Sequence, residues 1–212
     1  MRQIIFVKYN RTRAEKFQLK TVIVRQDGKL SVEKTALTDE GQAHILSFGE
    51  KYEKIKSLNP GICFLKPEFL SGGKAVRFPY LTGKTIGDVL GEEIRMGEVP
   101  YEALRKAMAL VFPEDFGEGK DSGVRENFVP DGAFCSVFGE IPPMEDRVVS
   151  VSNVDGLFEN LMVSDGVVYG IDYEWVFDFP IPAKFLHFRN LLYFYRRYER
   201  ILTAGQEEIF EA

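Results

Sequence analysis

Three polar side chains in the last third of the sequence have the types and spacing that phosphoryl transfer requires. Asp155 and Asn160 lie five residues apart, and Asp172 follows the short apolar run 167–171. A carboxylate can position or deprotonate an attacking hydroxyl, whereas an amide and a second carboxylate offer oxygen ligands to Mg²⁺ beside nucleotide phosphates. These residue types therefore suit phosphoryl transfer, with Asp155 as the candidate base and Asn160 and Asp172 as the candidate Mg²⁺ ligands. A simpler interpretation stays open, in which Asp155 only caps a helix beginning near Gly156.

A lysine and a glutamate in the first third form a second candidate group. Lys34 shares one face of the third predicted strand with Leu30 and Val32, because side chains alternate between the two faces of a strand. Glu53 lies on the flank of the apolar face of the next predicted helix, whereas Glu50 lies opposite that face. Two simpler interpretations remain, in which Lys34 extends from an edge strand into solvent and Glu53 is a solvated helix charge.

The elements that must position Lys34 and Glu53 can be predicted from patterning. Apolar and β-branched residues predict strands over 3–9, 17–24, 29–37, 62–69 and 74–78, and spacings of three and four predict a helix over 38–58. The pair Asp27-Gly28 is typical of a two-residue type I′ hairpin turn between the second and third strands.

The elements around Asp155 and Asp172 are less regular. Helices are predicted from residue 85 to 90, over 101–112 and over 183–203, and short strands over 148–151 and 167–171. Residues 114–147 lose all periodicity and are rich in Gly, Pro and acidic side chains, which indicates a long irregular stretch. The last helix has a predicted core stripe of Phe185, Phe188, Leu192, Tyr195 and Leu202, widened by Leu191, Phe194, Tyr198 and Ile201.

Composition excludes several function classes. The chain has 212 residues, 45% of them hydrophobic, with 27 basic against 32 acidic side chains. This is the composition of a soluble globular protein, and its net charge of −5 argues against nucleic acid as a partner. Two cysteines allow no disulfide framework, and two distant histidines make a zinc site improbable. The sequence has neither a secretory start nor an apolar run that spans a membrane, so a cytoplasmic location is predicted.

The motifs in the last third resemble those of a known superfamily. The block Asp155-Gly156-Leu157-Phe158-Glu159-Asn160, followed by Ile171-Asp172-Tyr173-Glu174, resembles the protein-kinase-like superfamily in the branch of choline kinases and aminoglycoside phosphotransferases. With Trp175-Val176-Phe177 and Pro180-Ile181-Pro182, the resemblance is closer to kinase-like domains attached to bacterial glycosyltransferases and methyltransferases of surface-polysaccharide assembly.

This resemblance implies a fold and two lobes. The expected fold is α+β and two-lobed, with a five-stranded antiparallel N-lobe sheet plus one helix over 1–81, and a reduced, mainly helical C-lobe over 82–212. In that fold Lys34 contacts the ATP phosphates and Glu53 holds it by an ion pair, while Glu174 supports Asp172 or binds a second metal ion. Adenine is expected to bind backbone groups of the hinge, Pro79-Tyr80-Leu81.

Two departures from the family pattern bear on activity. The residue two before Asp155 is Asn153 where the family has His, which removes a group that supports the catalytic loop. The turn 10–14 between the first two strands has no glycine, so backbone amides cannot wrap phosphates there, and Arg11 or Arg13 is the alternative phosphate contact.

The resemblance implies an ATP- and Mg²⁺-dependent phosphotransferase that acts on a small-molecule or glycan hydroxyl in cell-surface polysaccharide metabolism. The two departures motivate an alternative, a catalytically inactive kinase-like module that binds a partner in polysaccharide assembly. A third hypothesis concerns helix 183–203, whose basic and aromatic side chains suit contact with a protein partner or the surface of a membrane.

Overall fold

The computed structural model of this chain describes residues 1–97, 100–116 and 126–210. The chain divides into two compact units. Unit 1 comprises Met1–Ser57 and Phe64–Thr82, and unit 2 comprises Leu58–Cys63 and Gly83–Ala212. The boundary expected from the sequence falls after Leu81.

Unit 1 is built on a five-stranded antiparallel sheet. The unit's long strands are β1 (Arg2–Tyr9), β2 (Leu19–Gln26) and β3 (Lys29–Ala36), and the predicted strand over 62–69 divides into β4 (Cys63–Phe64) and β5 (Glu68–Leu70) before β6 (Ala75–Pro79). The strands lie in the order β1-β2-β3-β6-β5, with antiparallel pairing throughout. Because β3 is the middle strand, the interpretation that Lys34 extends from an edge strand is wrong.

The predicted hairpin turn is confirmed. Asp27 and Gly28 both have positive φ, at 52° and 78°, and β2 pairs with β3 in continuous register on either side of them. Two successive left-handed residues define a type I′ turn, whose twist matches that of the strands it joins.

One helix, α1 (Gln42–Ile55), covers the sheet of unit 1. It begins four residues later than predicted and ends three residues earlier. The Thr38 hydroxyl accepts a hydrogen bond from the Gly41 backbone N–H at 3.1 Å, so Thr38 organises the turn that precedes the helix. The buried face of α1 contains Ile45, Phe48 and Ile55 together with His44, whereas Tyr52, which the helical spacing predicts on the same buried face, is only half-buried.

Unit 2 contains the remaining helices and a set of short strands. The helices are α2 (Ile86–Arg95), α3 (Tyr101–Val111), α4 (Pro113–Phe116), α5 (Gly132–Phe138) and α6 (Ala183–Phe210). The strands are β7 (Lys84–Thr85), β8 (Glu126–Phe128), β9 (Met144–Asp146), β10 (Val148–Val149), β11 (Ser152–Asn153), β12 (Leu161–Ser164), β13 (Val167–Gly170), β14 (Val176–Phe177) and β15 (Ile181–Pro182). Strand β12 pairs with β13 and β7, while β8–β9, β10–β15 and β11–β14 form separate antiparallel pairs.

The α+β class predicted from the sequence is therefore confirmed, with a five-stranded antiparallel sheet and one helix ahead of a mainly helical second unit. Within the part of the chain that the structure describes, no helix combines the length and apolar character needed to cross a membrane.

The prediction of an irregular stretch over 114–147 is wrong where the structure describes it. Helix α5 begins after Asp131, whose carboxylate accepts a hydrogen bond from the Phe134 backbone N–H at 2.7 Å, and it ends at Gly139, which has a φ of 84°. Strands β8 and β9 pair on either side of it. An Asp before the first turn and a Gly after the last turn are ordinary helix boundary signals. They are not recognisable as such in the sequence because Asp and Gly are frequent throughout this acidic stretch. Residues 117–125 of this prediction lie outside the described residues.

An aromatic core explains the high phenylalanine content. Phe128, Phe134, Val154, Ile181 and Leu186 form a buried cluster in unit 2, and partly buried phenylalanines pack around it. Phe138 has ring centroids of Phe134, Phe177 and Phe185 within 5.0–5.5 Å of its own. Large aromatic side chains thus fill the space among the short strands of this unit.

The core face predicted for the last helix is confirmed only in part: Phe194 and Tyr198 are buried as predicted, and Phe185 and Leu192 are half-buried. The residues of α6 that are buried follow the series Leu186, Asn190, Phe194 and Tyr198, whereas Phe188, Leu191 and Tyr195 are exposed. More than one face of α6 carries large apolar side chains, so the periodicity of the sequence does not show which face is buried. The polar Asn190 on the buried face makes that face look solvent-exposed in the sequence.

Candidate active site

The loop that carries Asp155 begins at the end of β11 and is held by Asn153. The Asn153 side-chain oxygen accepts a hydrogen bond from the Asp155 backbone N–H at 3.2 Å, and its backbone carbonyl accepts one from Gly156 at 3.0 Å. An asparagine that bonds the backbone two residues ahead forms a local turn by itself. Asn153 therefore supports this loop, contrary to the expectation that its presence removes such support.

The Asp155 carboxylate faces an arginine of α6. One Asp155 oxygen lies 3.7 Å from a terminal nitrogen of Arg189, and the Arg189 Nε donates to the Val154 carbonyl at 2.9 Å. The helical turn nearest to Asp155, a 3-10 turn at Phe158–Asn160, has Leu157 at its N-cap. The interpretation of Asp155 as a helix cap is therefore wrong.

The next residue of α6, Asn190, also holds the Asp155 loop, through two hydrogen bonds to its backbone. Its side chain is buried, with the amide nitrogen donating to the Gly156 carbonyl at 2.7 Å and the amide oxygen accepting from the Phe158 N–H at 3.2 Å. Sequence reasoning missed both Arg189 and Asn190. The signal was a polar residue in the middle of an aromatic helix, which a buried position tolerates only when its hydrogen bonds are made.

Asn160 connects Asp155 to the strand that precedes Asp172. Its amide nitrogen donates to the Asp155 carbonyl at 3.0 Å, and its backbone carbonyl accepts from the Ile171 N–H at 2.9 Å. The side-chain bond uses the amide nitrogen and leaves the amide oxygen as the acceptor that a cation can use. Unit 2 thus holds Asp155, Asn160 and the Ile171-Asp172 pair in one connected arrangement.

Asp172 adopts an unusual backbone conformation. Its φ is 58°, in the left-handed region that non-glycine residues rarely occupy, and its side chain is exposed. Such a conformation costs about 1–3 kcal/mol, and it persists at functional sites where the surrounding structure imposes it. Tyr173 and Glu174, which follow it, are almost fully buried, at 1% and 2% exposure. The burial of Glu174 favours a supporting role for this carboxylate over that of an open metal ligand.

The donor types in this arrangement fit Mg²⁺ more closely than a transition metal. An amide oxygen and carboxylates are hard ligands, and magnesium commonly takes only one or two protein carboxylates beside phosphate and water. Across the described ranges, no group of three or more His, Cys, Asp or Glu side chains converges on a possible metal position. Asn160 and Asp172 would therefore hold a cation together with a phosphate ligand and not by themselves.

A further carboxylate adjoins Asn160. Glu159 lies against Gly87 at the start of α2, and a terminal nitrogen of Arg197 is 3.9 Å from one of its oxygens. Burial raises the pKa of Glu159, and the nearby charge of Arg197 opposes this only in part. The sequence offered no reason to single out this residue.

Lys34 lies where the strand pattern predicts, on a buried face of the unit 1 sheet. It pairs with Thr21 on β2 and Val76 on β6, and only 5% of the residue is exposed. Its ammonium group lies 5.8 Å from the ring centroid of Phe48 on α1, a contact that is favourable to a cation.

The partner observed for Glu53 differs from the expected one. Its carboxylate forms a salt bridge with Lys56, one turn later in the chain, and 59% of its side chain is exposed. Helical spacing makes this local pair available without burying either charge. The structure thus agrees with the solvated-charge interpretation of Glu53, and an ion pair with Lys34 stays a prediction.

The two arginines of the glycine-free turn are held by local contacts. The Gln18 side-chain nitrogen donates to the carbonyls of Arg11 and Arg13, at 3.2 and 2.9 Å, and the Arg11 guanidinium lies 4.9 Å from the Tyr9 ring centroid. Phosphate contact by Arg11 or Arg13 stays a prediction.

The predicted hinge follows directly from β6. Pro79 ends the strand, and the Tyr80 N–H donates to the Leu30 carbonyl at 3.4 Å, a long bond that extends the sheet by one residue. Leu81 is half-buried. Contact of Pro79, Tyr80 and Leu81 with adenine stays a prediction.

Comparison with known proteins gives distant structural similarities alone. No protein-family model matches the sequence, and no curated protein matches it. A macrolide 2′-phosphotransferase, MphH from Brachybacterium faecium, is 12% identical, with 95% of this chain and 76% of that chain covered and a TM-score of 0.43. APH(2″)-IIa, solved as a ternary complex with streptomycin and ATP, is 11% identical, with 99% and 92% covered and a TM-score of 0.37. Neither similarity is close enough to transfer an activity.

Proposed function

We propose that this chain is an ATP- and Mg²⁺-dependent phosphotransferase that acts on a hydroxyl group of a small molecule or glycan. The observation that carries the proposal is the position of Asn160, which bonds the Asp155 carbonyl through its side chain and the Ile171 N–H through its backbone. The residues that the chemistry requires are thereby held together, although they lie up to seventeen positions apart in the sequence.

Each residue has a distinct role in the proposed reaction. The Asp155 carboxylate accepts the proton of the acceptor hydroxyl as its oxygen attacks the γ-phosphorus of ATP, and the bond to the bridging oxygen breaks so that ADP leaves. Asn160 and Asp172 would hold Mg²⁺, which neutralises charge on the phosphates when it is bound. Lys34 is the proposed phosphate contact in unit 1, with Glu53 as its expected partner.

The finer setting of this activity is also a proposal. The resemblance of residues 155–160 and 171–182 to kinase-like domains of polysaccharide assembly supports a glycan or a glycan precursor as the acceptor. Its hydroxyl groups are the nucleophiles that the Asp155 carboxylate would serve.

Isothermal titration of the chain with ATP and Mg²⁺ tests the nucleotide half of the proposal. Binding is expected at millimolar nucleotide or below, and Asp172→Asn should weaken it because the variant loses an anionic metal ligand. Asp165→Asn is the matched control, since Asp165 is another exposed unit 2 aspartate with positive φ, at 49°, in the turn between β12 and β13. Failure of the unmodified chain to bind nucleotide would rule out the proposal.

Phosphate transfer itself is tested by measuring how fast the γ-phosphate of ATP is transferred to water and to each of a set of glycan and small-molecule hydroxyl acceptors. Asp155→Asn should retain nucleotide binding and reduce turnover by about 10²–10⁴-fold, the contribution typical of a general base. Equal turnover by the variant and the unmodified chain would show that Asp155 is not the base.

One observation favours a second candidate, a non-catalytic module that binds a nucleotide or glycan partner. The Arg189 guanidinium lies 3.7 Å from the Asp155 carboxylate, so the proposed base is already engaged by a cation of its own unit. Nucleotide binding without any phosphate transfer supports this candidate. Transfer that is abolished by Asp155→Asn contradicts it.

A further inference from the structure

Helix α6 presents a second apolar face that the core of unit 2 does not use. Phe188 is 63% exposed, and Leu191 and Tyr195 are 37% and 42% exposed. At 100° per residue these three side chains lie within about 60° of one another, and their sector borders the buried face, since the buried Tyr198 falls about 20° beyond Leu191. The half-buried Leu202 falls in the same sector, and the half-buried Leu192 widens it by about 40° beyond Phe188. We call this row, from Phe188 to Leu202, the α6 strip.

The strip has the dimensions of an interfacial helix. Fifteen helical residues extend about 20 Å, and the row is apolar over the two turns from Phe188 to Tyr195 before Glu199 falls within it. Tyr195 adds an amphipathic ring with a polar tip, a side chain that suits the boundary between water and apolar matter.

Basic side chains flank the strip in a chain that is otherwise acidic. Between Lys184 and Arg200 the helix has five basic residues and one acidic residue, Glu199, whereas the whole chain has 27 basic and 32 acidic side chains. Lys184, Arg196 and Arg200 are exposed. At 100° per residue Lys184 falls in the sector of the strip, one turn before Phe188, whereas Arg196 and Arg200 lie about 80° and about 120° from Phe188, both on the side of Leu192. Their long side chains can keep the charges in water while the stems lie along an apolar surface.

Not every basic residue of α6 belongs to this surface. Arg197 points the other way and forms a salt bridge of 2.5 Å with Asp88, and Arg189 faces Asp155. The sector of the strip contains one basic and one acidic residue, Lys184 and Glu199, so the excess positive charge comes from Arg196 and Arg200 on the side of Leu192.

We infer that the α6 strip binds to the surface of an anionic lipid membrane, with Phe188, Leu191 and Tyr195 inserted and Arg196 and Arg200 beside the headgroups. The combination of an apolar helix face with flanking cations matches a helix that lies in the interface plane. Charge complementarity selects anionic lipid over neutral lipid, and a flat lipid surface accepts the whole row at once. The inference does not depend on the proposed phosphotransferase activity.

Sedimentation with phosphatidylcholine vesicles, with and without phosphatidylserine, tests the inference on the full chain. We expect binding to the anionic vesicles, weak binding to the neutral ones, and a decrease at high salt because screening reduces the attraction of the arginines. No binding to anionic vesicles, or equal binding to both kinds, overturns the inference.

Two variants separate the apolar and the charged contributions. Phe188→Ser/Tyr195→Ser removes exposed aromatic groups, and Arg196→Gln/Arg200→Gln removes two charges, so each should lower the vesicle partition coefficient about tenfold. The matched control is Tyr101→Ser/Arg105→Gln/Lys106→Gln, which changes exposed residues of the same types on α3 and should bind as the unmodified chain does. Loss of binding with the charge variant alone indicates adsorption by charge and overturns insertion of the strip.

Phe188→Trp keeps the strip apolar and adds a reporter. Relative to the unmodified chain, which has only Trp175, its fluorescence should shift to shorter wavelength with anionic vesicles and be quenched by brominated lipid. Absence of both signals in a sample that sediments with vesicles would show that Phe188 does not insert. Self-association of the chain that Phe188→Ser/Tyr195→Ser abolishes, without any vesicle binding, would instead identify a second copy as the occupant of the strip.

Discussion

Glu33 is a buried carboxylate in the middle strand of the unit 1 sheet, and two arginines hold it. Arg2 of β1 donates to one of its oxygens at 2.6 Å, and Arg77 of β6 donates to the other at 3.0 Å. Burial by itself raises the pKa of Glu33, but the hydrogen bonds and charges of Arg77 and Arg2 outweigh it and hold the pKa below 4.5. This network joins three strands through a single side chain.

The variant Glu33→Gln should reduce the free energy of unfolding at pH 7 by about 1–3 kcal/mol, because two arginines lose their anionic partner. A carboxylate with a lowered folded-state pKa stabilises the protein above its unfolded pKa and loses that effect as the pH falls through the folded pKa. The difference between the two proteins in urea denaturation should therefore shrink as the pH falls below 4.5.

Glu68→Gln is the control for this prediction. Glu68 also lies near Arg77, at 3.7 Å, but 63% of its side chain is exposed, so its loss should change stability by less than about 1 kcal/mol. Equal effects of the two substitutions would show that the Glu33 network contributes no more than an ordinary surface pair.

His187 belongs to a second cluster of ionisable side chains, with Asp115 and Arg147, and it makes stability depend on pH. The His187 Nε2 lies 2.8 Å from one oxygen of the Asp115 carboxylate. Arg147 donates one hydrogen bond to each oxygen of that carboxylate, and Phe112 packs against the His187 ring. Burial lowers the pKa of His187 below 6.5, and the neighbouring carboxylate of Asp115 only partly offsets this.

A histidine with a lowered folded-state pKa binds protons more weakly in the folded than in the unfolded state. Stability is then greatest above pH 6.5 and decreases as the pH falls. We expect a lower urea midpoint at pH 5.5 than at pH 7.5, and a smaller difference in His187→Gln, whose amide can still donate to Asp115. An unchanged pH dependence in this variant would assign the effect to other groups.

At the scale of elements, α2 and α6 approach each other at a glycine. A Cβ atom added at Gly91 would lie 2.1 Å from the Tyr198 ring, and the Tyr198 hydroxyl donates to the Gly87 carbonyl at 2.8 Å. The absence of a side chain at residue 91 therefore allows the two helices to pack.

Gly91→Ala should lower the free energy of unfolding by about 1–3 kcal/mol, although alanine is the better helix former, because the tyrosine must move. Gly132→Ala in α5 is the matched control, since its added Cβ meets no atom within 4 Å and should leave stability unchanged or raise it. Thermal denaturation followed by circular dichroism compares the two. A stabilised Gly91→Ala would mean that the helices separate easily.

The helices and turns differ in how well the sequence predicts them. The hairpin at Asp27-Gly28 and helices α1 and α3 follow from turn chemistry and periodicity, because one face of each helix is clearly polar. Helix α6 has two apolar faces, so the choice between them depends on which neighbours pack against it, and no local pattern records that.

For the candidate site, the sequence identified the residues whose chemistry is local and missed those that act through tertiary contacts. Asp155, Asn160 and Asp172 stand in short motifs, whereas Arg189 and Asn190 reach the loop from more than thirty positions away. The observed pair of Glu53 with Lys56 is a further example of a contact that the sequence does not predict. Helical geometry predicts on which side of α1 the Glu53 carboxylate lies, but it does not predict which cation will pair with it.

At the scale of the whole molecule, tryptophan fluorescence follows one compact unit, whereas far-ultraviolet circular dichroism follows the helices and strands of both. Trp175, the single tryptophan, belongs to unit 2, while the five-stranded sheet belongs to unit 1. We expect the unfolding transition followed by tryptophan fluorescence to differ from that followed by far-ultraviolet circular dichroism. Glu33→Gln should displace the second transition more than the first. Coincident transitions in both proteins would show that the chain unfolds as one cooperative body.

Strand β1 has consequences for how the molecule behaves at high concentration. It is the outermost strand of its sheet, and Ile4, Ile5, Phe6 and Val7 are all exposed on it. Such an edge is a template on which another chain can add a strand, the first step towards aggregation. The irregular register between Ile4 and Phe6 interrupts the row of backbone groups, and Lys8 adds a charge near one end, while Glu33 holds the guanidinium of Arg2. The resistance of this edge to strand addition therefore depends on a bulge and one lysine, on a strand remote in sequence from the Asp155 loop.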